Sequence, residues 1–191
     1  MHIVKLGGSL YETAELVFWL KLLADTAMND SVVIVPGGGP FADTVREAQS
    51  RHKFDDQHAH HMALLAMAQY GIMLHALLPS AVLINTPAEV SNTCQMSIWL
   101  PDAQLLQVDE LIPSWHITSD SLALWFAQQL PNSRLSLIKR INPNTGDITV
   151  LTEKGIIDQG FNSLFKRKPL PSQLIHYQTP NQFPDNGLVL K

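Results

Sequence analysis

Lys5 lies inside a short apolar segment and is followed by Gly7, Gly8 and Ser9, so a cation and two residues without side-chain bulk arrive together. A second junction, Pro36-Gly37-Gly38-Gly39-Pro40, follows the apolar run Val32-Val33-Ile34-Val35. Glycines at a strand-to-helix junction let an anion approach backbone N–H groups at a helix N-terminus. Lys5, reaching from a strand end toward the same anion, suits a phosphate whose charge is redistributed during reaction. Each junction alone also reads as a tight turn. Three consecutive glycines exceed what a turn requires and imply that something passes close to the backbone. Neither junction fits the Walker pattern or GxGxxG, which argues against a dinucleotide-binding domain.

Other groups with chemical potential are more ambiguous. Thr118-Ser119-Asp120-Ser121 opens a helical segment; it reads as an N-cap in which Thr118 or Ser119 accepts N–H bonds and Asp120 complements the dipole, or Asp120 is the carboxylate that fixes a lysine ammonium or a metal-bound water beside phosphates. His52, His58, His60 and His61 cluster in sequence, but no third ligand at zinc spacing accompanies His58 and His61, so no metal site is assigned. His61 precedes an apolar helical run and lines an acceptor site, caps the helix or sits on the surface. Lys139-Arg140 ends the apolar strand 135–138, where ligands of parallel sheets bind, and is placed to face nucleotide phosphates. Lys166-Arg167-Lys168 reads as a solvated face, and Cys94 as structural.

These groups need a scaffold, and the periodicities supply one. Segments 2–6 and 32–35 read as strands, 13–28 and 41–49 as helices, giving a strand–helix–strand–helix order. A long helix spans 56–78; its middle is apolar all round and is expected to be largely buried. Strands follow at 81–84 and 96–100, a helix at 119–130 and a strand at 135–138. The turn Asn142–Asp147 followed by 148–151 suggests a hairpin, and 187–190 a last strand. The chain is expected to be a single α/β unit over 1–191, with composition shifting near residue 131.

Composition bounds the class. The chain has 191 residues, 46% hydrophobic and 16% charged, with a net charge of −4. That balance argues against a nucleic-acid surface. One cysteine excludes an intrachain disulfide and fits a reducing compartment. The N-terminus reads as a strand rather than a signal peptide, and no apolar run is long enough to span a membrane, so a cytoplasmic protein is expected. Low surface charge and the long apolar helix leave room for a homodimer.

Taken in order and spacing, Lys5-x-Gly7-Gly8-Ser9, Gly37-Gly38-Gly39 and Ser119-Asp120-x-x-Ala123 resemble the amino acid kinase family. Ala66-Met67-x-Gln69-Tyr70-Gly71 and Trp115-x-x-Thr118-Ser119-Asp120-Ser121 resemble its small branch around the aminomethylfuranylmethyl phosphate kinases. The resemblance implies a three-layer αβα sandwich with a mostly parallel central sheet. It places an acceptor half over 1–130 and a short nucleotide half over 131–191. It implies ATP with Mg²⁺ and a small-molecule acceptor. Lys5 would contact the transferring phosphoryl group, and Gly7 and Gly8, beside Ser9, would donate backbone N–H bonds to it. Gly37, Gly38 and Gly39 would cradle the acceptor, Asp120 would orient lysines, and Asp158 matches an acidic position near the nucleotide. The chain departs from the family where Thr-Asp-Val-x-Gly is replaced by Ile138-Lys139-Arg140-Ile141-Asn142, and its nucleotide half is short. A kinase-fold binding protein without catalysis is the alternative reading.

Overall fold

The computed structural model describes residues 1–90 and 95–191; Cys94 lies outside the described residues. Seven strands form one sheet in the order β3-β4-β2-β1-β5-β6-β7. They are β1 His2–Leu6, β2 Val32–Pro36, β3 Val82–Ile84, β4 Met96–Trp99, β5 Arg134–Lys139, β6 Ser172–His176 and β7 Leu188–Val189. All pairs are parallel except β6 with β7. The helices are α1 Glu15–Thr26, α2 Gly39–His52, α3 Asp56–Leu77, α4 Ser119–Gln128, α5 Ile148–Glu153 and α6 Gln159–Arg167.

The central strands are apolar without alternation because both faces are covered. Ile3, Val33, Val35, Leu135, Leu137 and Leu174 face a core closed by residues of α4, α5 and α6. Their neighbours Val4, Ile34, Ile138 and Ile175 face a second core closed by Leu16, Trp19, Leu20 and Leu23 of α1. The αβα layering is therefore the direct result of period-two strands feeding two separate cores. None of the described helices is long and apolar enough to cross a membrane.

Two expectations are corrected. Residues 148–151 form the start of α5, not the return strand of a hairpin. β5 is already paired on both sides, with β1 and β6, so a strand leaving the turn has no free edge to join. Asp147 instead caps a helix, accepting from the amides of Thr149 at 2.8 Å and Val150 at 3.3 Å. The long helix α3 is not buried all round. It gives Leu64 and Met67 to one core and Tyr70 and Leu74 to the other. Met62, Leu65 and Ile72 are exposed at 39%, 48% and 55%. The run Lys166-Arg167-Lys168 is solvated, as expected, with Arg167 paired to Glu110 at 2.7 Å.

β1 sits where the connections reverse direction, with β2 on one side and β5 on the other. In a parallel sheet such a switch point opens a crevice beyond the strands' carboxyl ends. Lys5 and Lys139 reach that crevice from adjacent strands, and the two glycine junctions bound it.

Candidate active site

The glycine junctions are packed against each other. A Cβ on Gly8 would lie 2.2 Å from the amide nitrogen of Gly39, and one on Gly37 would lie 2.3 Å from the amide nitrogen of Gly8. What passes close to the triple glycine is therefore, first of all, the other glycine loop. Gly39 opens α2 at φ +54°, a backbone conformation that disfavours other residues. Gly8, Ser9, Gly38 and Gly39 line a cavity of about 400 Å³, whereas Gly7 and Gly37 sit behind its wall. The Gly37 amide donates to the Leu6 carbonyl at 2.9 Å, which ties the second loop to the first strand.

Lys5, Asp120 and Lys139 converge beside these loops. The Lys5 Nζ lies 3.0 Å from Oδ1 of Asp120, and the Lys139 Nζ lies 2.5 Å from Oδ2. The Lys139 contact is a hydrogen bond. Oδ1 accepts no well-directed bond, so Lys5 is held by charge more than by geometry. Lys5 and Asp120 are only 5% and 3% exposed. Burial pushes the Lys5 ammonium below its usual range, opposed by Asp120 and reinforced by Lys139. Burial alone would raise the Asp120 carboxyl, but Lys139 and Lys5 outweigh it and bring it down to about 2. One carboxylate thus serves two ammonium groups, and their positive charge is left available to an anion.

The N-cap position of α4 is not closed by the helix's own Thr118 or Ser119 side chain. Thr118 holds that position without a side-chain cap, and Asp158 supplies the acceptor instead. Asp158 accepts from the Thr118 amide at 2.9 Å, the Thr118 hydroxyl at 2.8 Å, the Ser121 amide at 3.0 Å, the Ser121 hydroxyl, and the Phe161 amide at 3.1 Å. It caps α6 and clamps the start of α4 in one carboxylate. Burial and the Asp120 charge push its pKa up, against the bonds from Ser121 and Thr118. Its oxygens are engaged within the chain, so Asp158 positions the site's two helices.

A second cavity, of about 350 Å³, is lined by Lys5, Asp120, Lys139, Asp158 and the turn around Gly155. Arg46, Trp115 and Thr118 line both cavities, so the two adjoin. Arg46 stacks over Trp115 at 3.7 Å from the ring centroid. The Trp115 indole donates to Oε1 of Gln49 at 2.6 Å, which locks the ring. In the sequence Arg46 reads only as a polar position of its helix, although it stands two helical turns after Gly39 and so shares its face.

The neighbour of the proposed histidine lines the first cavity: His60 is 5% exposed there, while His61 is not among its lining residues. His60 bonds the Ser114 backbone, and burial holds its pKa below the usual value. Its Nε2 is buried without a partner among the described residues. His58 pairs with its helix cap Asp55 at 2.7 Å. Among the described residues no group of three His, Cys, Asp or Glu side chains could hold a metal ion.

The architecture is the amino acid kinase fold. It matches a uridylate kinase from Archaeoglobus fulgidus with a TM-score of 0.76 at 14% identity, covering 98% of this chain and 97% of that one. It matches isopentenyl phosphate kinase with a TM-score of 0.58 at 17% identity, covering 95% and 93%. In sequence the chain is 29% identical to the [5-(aminomethyl)furan-3-yl]methyl phosphate kinase of Methanocaldococcus jannaschii, over 97% of this chain and 92% of the relative. No family model matches. The resemblance to small-molecule kinases thus holds in sequence as well as in fold.

Proposed function

We propose that this protein transfers a phosphoryl group from Mg·ATP to a small phosphorylated acceptor of the aminomethylfuran type. The observation that carries the reading is one buried carboxylate, Asp120, holding two lysines in the wall of the second cavity, which adjoins the first through Arg46, Trp115 and Thr118. The acceptor occupies the cavity beside the glycine loops, and the nucleotide occupies the one beside Gly155. Two cations in the wall of the second cavity, close to where it meets the first, are suited to the charge that spreads over the transferring group in a loose transition state.

The chemistry asks little else of the protein. A phosphate monoester is already ionised near neutral pH, since its second pKa is about 6. Its oxygen attacks the terminal phosphorus of ATP, the bond to ADP breaks, and a diphosphate forms with no proton to remove. The site accordingly requires no general base, and the neutral His60 is a binding group. Lys5 and Lys139 orient and offset charge; Gly8, Ser9 and Gly39 offer backbone near the incoming phosphate. The metal would be held by nucleotide phosphates and water.

The exposed stripe Met62, Leu65 and Ile72 of α3 is the face through which we expect two copies to pair.

The deciding assay follows ADP formation with [5-(aminomethyl)furan-3-yl]methyl phosphate and Mg·ATP. Acceptor-dependent ADP release supports the kinase. Binding of the acceptor without any release would favour the non-catalytic alternative.

A further inference from the structure

Four charged side chains line the acceptor cavity without forming an ion pair among the described residues: Glu12, Asp43, Arg46 and Arg140. Asp43 and Arg46 stand i, i+3 on α2, a spacing at which opposite charges commonly pair. Here Arg46 lies over Trp115 instead, at 3.7 Å, and Arg140 leans toward Tyr177 at 5.8 Å. Asp43 lines the cavity and acts on Arg46 through its charge without closing a salt bridge. Two carboxylates and two guanidinium groups around one space, none of them in a salt bridge among the described residues, suit a ligand that carries both signs of charge.

A second observation points to a ligand in the same space. His60 is buried in the cavity wall, and its Nε2 has no partner among the described residues. A buried polar atom left unpaired in the chain is costly unless a bound molecule completes it. Leu64, Met67 and Leu122 add an apolar surface, and Trp115 adds a flat one, so the body of the ligand is small and apolar.

We infer that Asp43, assisted by Glu12, is the specificity determinant that selects for the primary ammonium of the proposed aminomethyl acceptor. Arg46 and Arg140 take the phosphate. The inference rests on the phosphotransfer reading and names the residues that decide its acceptor. Asp43 and Glu12 act on specificity by attraction for the amine and by leaving an unpaired carboxylate against any analogue that lacks it.

The test compares [5-(aminomethyl)furan-3-yl]methyl phosphate with its analogue bearing methyl in place of aminomethyl. Wild-type kcat/KM should favour the amine by about tenfold or more. In the double variant Asp43→Asn, Glu12→Gln that ratio should fall toward one. Equal use of both compounds by the wild type, or a preference that survives the double variant, overturns the inference and leaves the kinase standing. If neither compound is phosphorylated, the kinase reading fails for this acceptor class. Calorimetric titration without nucleotide then decides: tighter binding of the amine, lost in the double variant, upholds the inference, and equal or absent binding overturns it. The wild-type comparison needs no variant, so a folding defect in the double variant does not remove the test.

Discussion

The Lys5 ammonium lies 3.0 Å from Asp120, in a space nearly sealed from water, although the two residues come from the first strand and the fourth helix. The Lys139 ammonium reaches the other oxygen of the same carboxylate. A single buried acid therefore sets the position of both cations that line the second cavity. Replacing any member of this trio changes the charge felt by a transferring phosphoryl group.

Lys5→Ala should lower kcat by roughly 10²–10³ while KM for the acceptor changes little, because the ammonium acts mainly on charge developed in the transition state. Steady-state ADP release, with a melting curve to confirm the fold, measures this. Full activity in Lys5→Ala would remove Lys5 from the mechanism.

Asp120→Asn should destabilise the protein by about 3 kcal/mol, because it leaves two ammonium groups close together with no counter-charge. The folded carboxyl titrates near about 2 against an ordinary value of 3.8. Its contribution is therefore complete above the ordinary value and is lost as pH falls toward the folded one. Asp158, shifted upward by burial and by the Asp120 charge, has the opposite sign; burial acts on it in both proteins, and the part due to Asp120 is relieved in Asp120→Asn. In urea titrations the stability gap between wild type and Asp120→Asn should narrow as pH drops from about 4 toward 2. A gap independent of pH would contradict the charge role.

Gly8→Ala should cost about 2 kcal/mol or more and lower Tm by about 5 °C, since the new Cβ would meet backbone that cannot swing aside. Its contact would be 2.2 Å from the Gly39 amide nitrogen. Gly155→Ala is the control: its φ is +65° but nothing lies within 4 Å, so only backbone strain of about 1 kcal/mol applies. Equal Tm losses in the two variants would show that contact between the loops contributes nothing.

Leu65→Glu should convert a dimer to a monomer without changing the melting cooperativity, as the side chain is 48% exposed. Sedimentation velocity reads the change directly. A wild type that is monomeric at all concentrations would dismiss pairing through α3.

Much of this arrangement was legible in the linear chain. The lysine–glycine–serine junction, the triple glycine and Ser119-Asp120 are local patterns, and each lands at the crevice where the strand order reverses. Period-three-to-four apolar stripes located α1 and α4, and unbroken apolar runs located the central strands, because the side chains of neighbouring residues alone decide those periods. The helical fate of 148–151 was not legible. Its β-branched residues favour a strand, and only the double pairing of β5 removes that option.

The contribution of sequence by itself was therefore the fold class and the identity of the charged trio's members, Lys5, Asp120 and Lys139. Tertiary structure alone decided how they are used. Which lysine shares which oxygen, that Asp158 rather than Thr118 or Ser119 accepts at the start of α4, and that His60 rather than His61 meets the cavity all depend on contacts between distant segments. The physical reason is range. Propensity and periodicity act over a helical turn or a strand, whereas burial, charge sharing and unpaired polar atoms exist only once remote elements have packed.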